Sequence, residues 1–420
     1  MATKTGGIST MDHVKSITVV GGGTAGWMSA SYFVKQGFLV NLIESPVIPN
    51  IGVGESCLPA LSFFCEQLGL KDEEWMPESN AVYKLGIYHY NWLRHGSIWK
   101  HWFCYDRNKA DSEWYLDNGR IPPRELRRHS YHIDAIAFGQ MLKNRVALPS
   151  GVNHIQAHIT DVFLDDKGYI SSLVLDKGKT VSSDFYIDCS GPAKLLANKI
   201  GIKFKTYGDI PNDRAIACPQ KLEVLGPPKY TITYAESNGW LWNTALAHRR
   251  GCGYTYSSSF TTDDEALTTY LMYNPDTDMD KLRVLKFDSQ YAVNPLEKNV
   301  LAVGLASGFI EPLEATSIYL VQYYIETFGK IVNTGRNPQV YNKAVHRITK
   351  ELYEFVLTSY TLTQRDDTEY WKYWREMENK LDTKSMVLDR ANQPDSGTWS
   401  ISKVFAPFNW WSKAQHFELT

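Results

Sequence analysis

The sequence predicts an α/β fold. It reads as a doubly wound domain, with a parallel sheet and an antiparallel crossover, joined to a mixed antiparallel-sheet region and a C-terminal helical region. Three observations predict this. The β-branched run Ile17 to Val20 enters the pattern Gly21-x-Gly23-x-x-Gly26, and an unbroken helical stretch, Met28 to Val34, follows it. Two later strand-like runs, ending at Asp188 and at Val303, also lead into glycines, Gly191 and Gly304. Residues 214–290 alternate strand-like runs with polar loops, and amphipathic helices dominate after Pro338.

Taken in order, the first strand, turn and helix supply the context that the dinucleotide fingerprint requires. Gly21 makes the tight turn, Gly23 lets backbone approach a pyrophosphate, and Gly26 lets helix and strand pack closely. Thr24 and Ala25 open the helix, where free amides face an anion. Phe38–Ile43 is a second strand, and Glu44 ends it, 18 residues past Gly26. A carboxylate there suits a ribose hydroxyl and argues against a 2′-phosphate, with FAD and NAD both still open. The loop from Ser45 to Pro59 carries Val53, Gly54, Glu55 and Ser56, and its glycines allow backbone to lie against a ligand. Val82–Tyr90 alternates like one strand, interrupted by Lys84. Residues 92–128 are aromatic and irregular, and read as a substrate-side insertion. Tyr131–Val146 has helical spacing. Residues 151–189 carry short strands, the last ending in Asp188-Cys-Ser-Gly191, a second turn suited to a phosphate or cofactor. Gly304 and Leu305 mark the third. Pro312 to Ser317 opens a helix that runs through Ile325.

The expected organisation is a disordered leader (1–12) and a discontinuous dinucleotide-binding module (13–90, 130–215 and 290–330). A substrate-side region (91–129 and 216–289) and a C-terminal helical region (331–420) complete it. A length of 420 residues suits two to three domain-sized units. The net charge of −2, with no Lys/Arg block, argues against nucleic-acid and anionic-membrane partners. The six cysteines show neither C-x-x-C nor zinc-ligand spacing, so they read as reduced and structural, with no metal site predicted. No signal-peptide pattern and no 18-residue apolar run is present, so a cytoplasmic protein is expected. The 13 Trp and 25 Tyr suit either an aromatic core or a pocket for flat organic molecules.

Three strand-to-turn sites around an interrupted sheet are similar to the FAD-binding modules of flavin monooxygenases of the hydroxybenzoate hydroxylase type. Within that group, the chain resembles flavin-dependent halogenases of the tryptophan halogenase family over roughly residues 15–375. The motifs that carry the resemblance are Gly21-Gly-Gly-Thr-Ala-Gly-Trp27, Val53-Gly-Glu-Ser-Cys-Leu-Pro59, Tyr83-Lys-Leu-Gly-Ile87, Asp188-Cys-Ser-Gly191, Gly239-Trp-Leu-Trp242 and Gly308-Phe-Ile-Glu-Pro-Leu-Glu-Ala-Thr316. Tyr360, Arg365, Asp367 and Trp371 fit a late helical motif.

The resemblance implies FAD as cofactor, reduced by a separate, diffusible flavin reductase. With O2 and a halide ion it would yield hypohalous acid, which halogenates a small electron-rich aromatic substrate in a second pocket. Lys84 matches the family's catalytic lysine. An ammonium there can hydrogen-bond the hypohalous oxygen, or a lysine of lowered pKa can form a haloamine. Glu314 matches the second catalytic residue, able to polarise hypohalous acid or to take the proton from the cationic arene, with Glu311 as a nearby competitor. Thr316 and Ser317 align with the pair whose amides hold halide, Ser317 standing where the usual pattern has glycine. His101 and Phe103 match a substrate-side histidine and aromatic pair. Trp240 and Trp242 match the tryptophans of W-x-W-x-I-P, which are thought to keep substrate away from the flavin. Here Thr244 and Ala245 replace Ile and Pro. That departure weakens the halogenase reading against the alternative, an FAD-dependent aromatic monooxygenase (hydroxylase), but Lys84 and Glu314 hold it. A non-enzymatic scaffold of similar fold is a third. The short insertion and short C-terminal tail predict an open site for indoles and phenol-like or heteroaromatic compounds, and that open site together with Ser317 favours bromide or iodide over chloride. A dimer or other homo-oligomer is compatible with all of this.

Overall fold

The computed structural model describes residues 13–48, 52, 54–103, 129–222, 229–393 and 405–419. Val53, Cys104, the expected leader, most of the 92–128 insertion and residues 394–404 lie outside the described residues.

The central sheet has six strands, in the order Leu296–Glu297, Val300–Ala302, Phe185–Asp188, Ser16–Val20, Leu39–Glu44, Asn153–Gln156. Every neighbouring pair is parallel except the first. Ile17, Thr18 and Val19 are all fully buried, so both faces of the strand are covered and the apolar run is continuous. Helices Thr24–Lys35, Ala135–Leu142 and Thr316–Gly329 build the core on one face. Helix Leu195–Ile200 joins a second core with the antiparallel crossover strands Ile159–Leu164, Ile170–Leu175 and Thr180–Val181.

A second sheet has seven strands, in the order Arg283–Lys286, Arg214–Lys221, Arg249–Tyr256, Gly239–Ala245, Tyr230–Glu236, Gly86–Tyr90, Ile98–Trp102. All its pairs are antiparallel except Tyr230–Glu236 with Gly86–Tyr90. This corrects the single strand expected over Val82–Tyr90. The chain breaks at Leu85, whose amide donates to Lys229 O (2.7 Å). Val82–Lys84 belongs instead to a small sheet with Ser130–Asp134 and Gly54–Ser56. Alternation continues across the break, so the pattern conceals it. Gly86 is required there because a Cβ would meet His101 O at 2.5 Å. The boundary between the two sheets therefore falls at Leu85.

Tyr131–Val146 also differs from its helical expectation. Ser130–Asp134 is a strand, and the helix starts at Ala135, with the Asp134 side chain accepting from Ala137 N (3.1 Å). Ile133 and Ile136 fit a helical spacing by chance, while cross-strand pairing to Glu55 fixes the strand.

The register of the seven-stranded sheet puts His89, Trp99, His101, Thr231, Thr233, Trp240 and Trp242 on one face. Helices Pro338–Thr361 and Pro407–His416 cover that face, with Phe355 and His416 against Trp99 and Asn409 against His101. Arg365 clamps the C-terminal helices to the sheet. It grips Asp367 with two bonds (3.0 and 2.8 Å), donates to Ala235 O (2.9 Å) and lies over Trp371. Trp371 Nε1 donates to Glu236 O (2.8 Å). Among the described residues, no helix is long and apolar enough to cross a membrane.

Candidate active site

A cavity of about 410 Å³ lies at the C-terminal edge of the parallel sheet, where the strand order around Ser16–Val20 diverges. Gly21, Gly23, Thr24, Ala25, Glu44, Glu55, Gly191, Gly304 and Leu305 line it, together with Thr316 and Ser317. Its walls are shaped by missing side chains. A Cβ on Gly22 would meet Glu44 Cδ at 2.1 Å, and one on Gly21 (φ +114°) would meet Cys189 O at 2.2 Å. Glu44 is oriented by His154 Nε2 (2.8 Å). Burial pushes the Glu55 carboxyl up to about 7. Bare backbone beside a helix N-terminus, with an acid at the second strand end, fits a dinucleotide such as FAD.

Four of the expected cofactor residues do not line the cavity. Asp188 is fully buried and turned away from the cavity. Its carboxylate accepts from Ser190 N, Ser190 Oγ, Leu196 N and Ala197 N, so it shapes the turn. Gly26 packs against Gly21 O, which a Cβ would approach to 1.8 Å. Gly54 faces Gly251 across the sheets. Ser56 points towards Lys84.

The turn Leu313–Ala315 joins this cavity to the covered sheet face. Glu314 and Ala315 both have left-handed backbones (φ +65° and +55°), an arrangement costly for residues with a Cβ. Glu314 faces His89 Nε2 (Oε1, 3.3 Å) and His101 Nδ1 (Oε2, 3.1 Å), and all three side chains are buried. None of these four atoms has an aligned hydrogen-bond partner, so the contacts are electrostatic and both carboxylate oxygens keep acceptor capacity. Burial would raise the Glu314 carboxyl, but His101 and His89 outweigh it and hold the group well below its usual range. Burial pushes His89 down to about 4 against the pull of Glu314, which keeps it neutral.

These three residues are also the one group among the described residues that could hold a metal ion. Their outer partners favour a carboxylate clamp. The Asn409 amide donates to His101 Nε2 (3.1 Å), which leaves the proton on Nδ1, facing Glu314. Trp92 Nε1 donates to Thr233 Oγ1 (3.0 Å), and Thr233 Oγ1 contacts His89 Nδ1 (2.9 Å). Lys413 is buried nearby, bonded to Phe355 O, Thr358 Oγ1 and Ser359 Oγ. Burial pushes it down to about 7, against the pull of Glu314.

Lys84 is fully buried at the end of its short strand. Its Nζ donates to Ser56 Oγ (2.5 Å) and Cys57 O (3.2 Å) and lies 4.9 Å from the centre of the Phe103 ring. Burial pushes it down to about 8, with Glu314 and Cys57 pulling it back up.

His101 is stacked on Trp99 (4.9 Å) and aimed at Glu314. Trp240 is buried between Trp92 and Trp242, and Gly253 makes room for Trp242, whose ring a Cβ would meet at 2.1 Å. Glu311, the competitor of Glu314, is committed to Tyr360 OH (2.6 Å), Asn212 Nδ2 (3.1 Å) and Leu313 N (3.1 Å). Sequence reading missed His89, Asn409 and Lys413. Only the alternation that puts His89 on the face of Ile87 carried any signal for them.

A cavity that fits a dinucleotide, joined by one strained turn to a buried, clamped carboxylate, defines a cofactor-dependent enzyme with two sites. The family profile described as tryptophan halogenase matches residues 16–117 and 116–414, and the chain belongs to that family. It is a flavin-dependent halogenase, an oxidoreductase acting on aromatic substrates. Tryptophan 6-halogenase SttH of Streptomyces toxytricini is 31% identical, over 92% of this chain and 84% of the relative. Tryptophan 7-halogenase RebH of Lentzea aerocolonigenes is 30% identical, over 87% of this chain and 79% of the relative. Among solved structures, BrvH, a flavin-dependent halogenase from Brevundimonas sp. BAL3, superposes with a TM-score of 0.83. It is 28% identical, over 97% of this chain and 90% of that chain.

Proposed function

We propose that this chain takes reduced FAD from a separate reductase, with O2 and halide, to form hypohalous acid that halogenates an electron-rich aromatic between Lys84 and Glu314. Bromide and iodide are the preferred halides, with chloride also accepted, and indoles and phenol-like compounds are the substrate class. When bound, the reduced flavin supplies the electrons that activate O2. Thr316 and Ser317, at a helix N-terminus lining the cavity, would hold the halide by their amides. Lys84, as an ammonium, hydrogen-bonds the oxygen of hypohalous acid and gives it a proton as the oxygen–halogen bond breaks and the carbon–halogen bond forms. Water leaves. Glu314 then takes the ring proton. A carboxylate held at low pKa is a weak base, but the cationic arene is a strong acid, so a weak base suffices.

The observation that carries this reading is that Lys84 and Glu314 are both buried and act on each other electrostatically, with Glu314 two residues before Thr316, which lines the cofactor cavity. The test replaces Lys84 with Ala and supplies reduced FAD, O2 and bromide with indole, phenol or tryptophan, then repeats the screen in chloride and iodide. Loss of aromatic bromination with FAD binding intact supports the reading. Undiminished bromination removes Lys84 from it. Oxygenated product without halide replaces it with a hydroxylase. Exclusive chlorination of free tryptophan overturns the halide and substrate preferences.

A further inference from the structure

Lys84 is the start of a buried hydrogen-bond chain that crosses from the small sheet to the seven-stranded one. Lys84 Nζ contacts Ser56 Oγ (2.5 Å), Ser56 Oγ contacts Thr231 Oγ1 (2.9 Å), and Thr231 Oγ1 contacts His132 Nε2 (2.9 Å). His132 Nδ1 ends the chain at Ala245 O (3.0 Å). Five separate strands contribute. Ser56 and His132 are cross-strand partners, Lys84 lies on the other side of the His132 strand, and Thr231 and Ala245 come from the large sheet.

The direction of every bond follows from the last one. Ala245 O is a carbonyl and can only accept, so His132 Nδ1 carries the proton. His132 is fully buried and neutral, so its Nε2 carries none and must accept. Thr231 has one hydroxyl hydrogen and gives it to His132. It therefore accepts from Ser56. The single hydroxyl hydrogen of Ser56 is then committed to Thr231, and towards Lys84 Ser56 presents only a lone pair.

We infer that Ser56, Thr231 and His132 are positioning residues for the reaction, forming a one-way chain that holds Lys84 as an ammonium donor. This rests on the reading of Lys84 given above. Ser56 Oγ and Cys57 O take two of the ammonium hydrogens, which leaves the third, with the Phe103 ring centre 4.9 Å from Nζ, for a hypohalous oxygen to meet. A neutral amine gains less from Ser56 as an acceptor-only neighbour, because its uncharged N–H donates a weaker bond and its own lone pair finds no donor there. The other titratable groups acting on Lys84 are Glu314 from the strained turn, the Cys57 thiol and neutral His132. None of the substitutions below alters Glu314 or Cys57.

The experiment compares wild type with Thr231→Val, Thr231→Ser and Ser56→Ala. The titration of Lys84 is read by competitive acetylation with trace acetic anhydride across pH, quantified on the Lys84 peptide. The alkaline limb of bromination is measured in parallel. Thr231→Val frees the Ser56 hydrogen to turn towards the amine, so both midpoints should fall by about one pH unit, and Thr231→Ser should restore them. Ser56→Ala removes the acceptor itself and should lower both midpoints at least as far, independently of how well Thr231→Val folds. Acetylation midpoints that coincide in all four proteins overturn the chain. If bromination survives Lys84→Ala while the acetylation midpoints still shift, the chain stands and the catalytic reading of Lys84 falls.

Discussion

Glu314 and Thr316 are two residues apart and face different compartments. Thr316 lines the dinucleotide cavity, while Glu314 looks onto the covered sheet face, between His89 and His101. The left-handed pair Glu314 and Ala315 makes this reversal, and the helix that starts at Thr316 anchors it. On the proposed mechanism, this single turn would separate halide chemistry from aromatic chemistry.

Replacing Glu314 with Gln tests that separation. The amide keeps the shape but loses the charge and the basicity, so bromination of indole should fall by about 10²–10⁴-fold. Halide oxidation belongs to the other side of the turn and should persist. A soluble diketone that traps hypobromous acid, assayed beside indole bromination, measures both. Equal loss of the two activities would mean that the turn itself had moved.

Gly22→Ala tests the cavity wall. Its Cβ would stand 2.1 Å from Glu44 Cδ, so the carboxylate must swing out and leave His154. Titration of FAD by flavin fluorescence should show affinity reduced by at least about tenfold, because the adenosine-side acid is displaced. Bromination at saturating FAD should recover. Unchanged affinity would show that Glu44 does not hold the nucleotide.

These two sites were unequally legible in the sequence. The cavity is built from contiguous turns, so Gly21–Gly26, Glu44 and Gly191 could be read from local spacing. Asp188 sits on the same turn yet serves its own backbone, a difference that only its four donors reveal. Lys84 and Glu314 were legible only through family motifs. Their partners were not. His132 lies on a strand whose spacing mimicked a helix, and Thr231 meets Ser56 from 175 residues away. The break at Leu85 was hidden because alternation is indifferent to which sheet a strand joins.

Arg365 makes a prediction about stability. The guanidinium is buried, while Asp367 is partly exposed and is held by Arg365 at a carboxyl pKa of about 2, below its ordinary 3.8. A depressed carboxyl stabilises the fold above its unfolded value, and that contribution is lost as pH falls from about 3.8 through about 2. Arg365→Lys cannot reproduce the two-bond grip, the bond to Ala235 O and the stacking on Trp371. It should cost about 2–3 kcal/mol in urea unfolding at neutral pH. The wild-type advantage should shrink in that acid window. A difference that is independent of pH there would assign the loss to the Trp371 and Ala235 contacts alone.

Lys84 predicts the pH dependence of the reaction. Burial lowers it to about 8, so the ammonium predominates below that pH and the free amine above it. An ammonium donor requires bromination to decline above pH 8, by about tenfold per unit once the amine dominates. A lysine acting as a nucleophilic amine requires the opposite, a rate that climbs towards pH 8 and then levels. The stability effect has its own sign. Between about 8 and the ordinary 10.5, the unfolded chain binds more protons at this lysine than the folded one, so stability gains from rising pH across that window. A decline in rate above pH 8 without loss of stability therefore belongs to chemistry rather than unfolding. Bromination rate and thermal midpoint measured on the same samples from pH 6 to 10 separate the two. A rate that rises through pH 8 would replace the hydrogen-bond donor with the haloamine route.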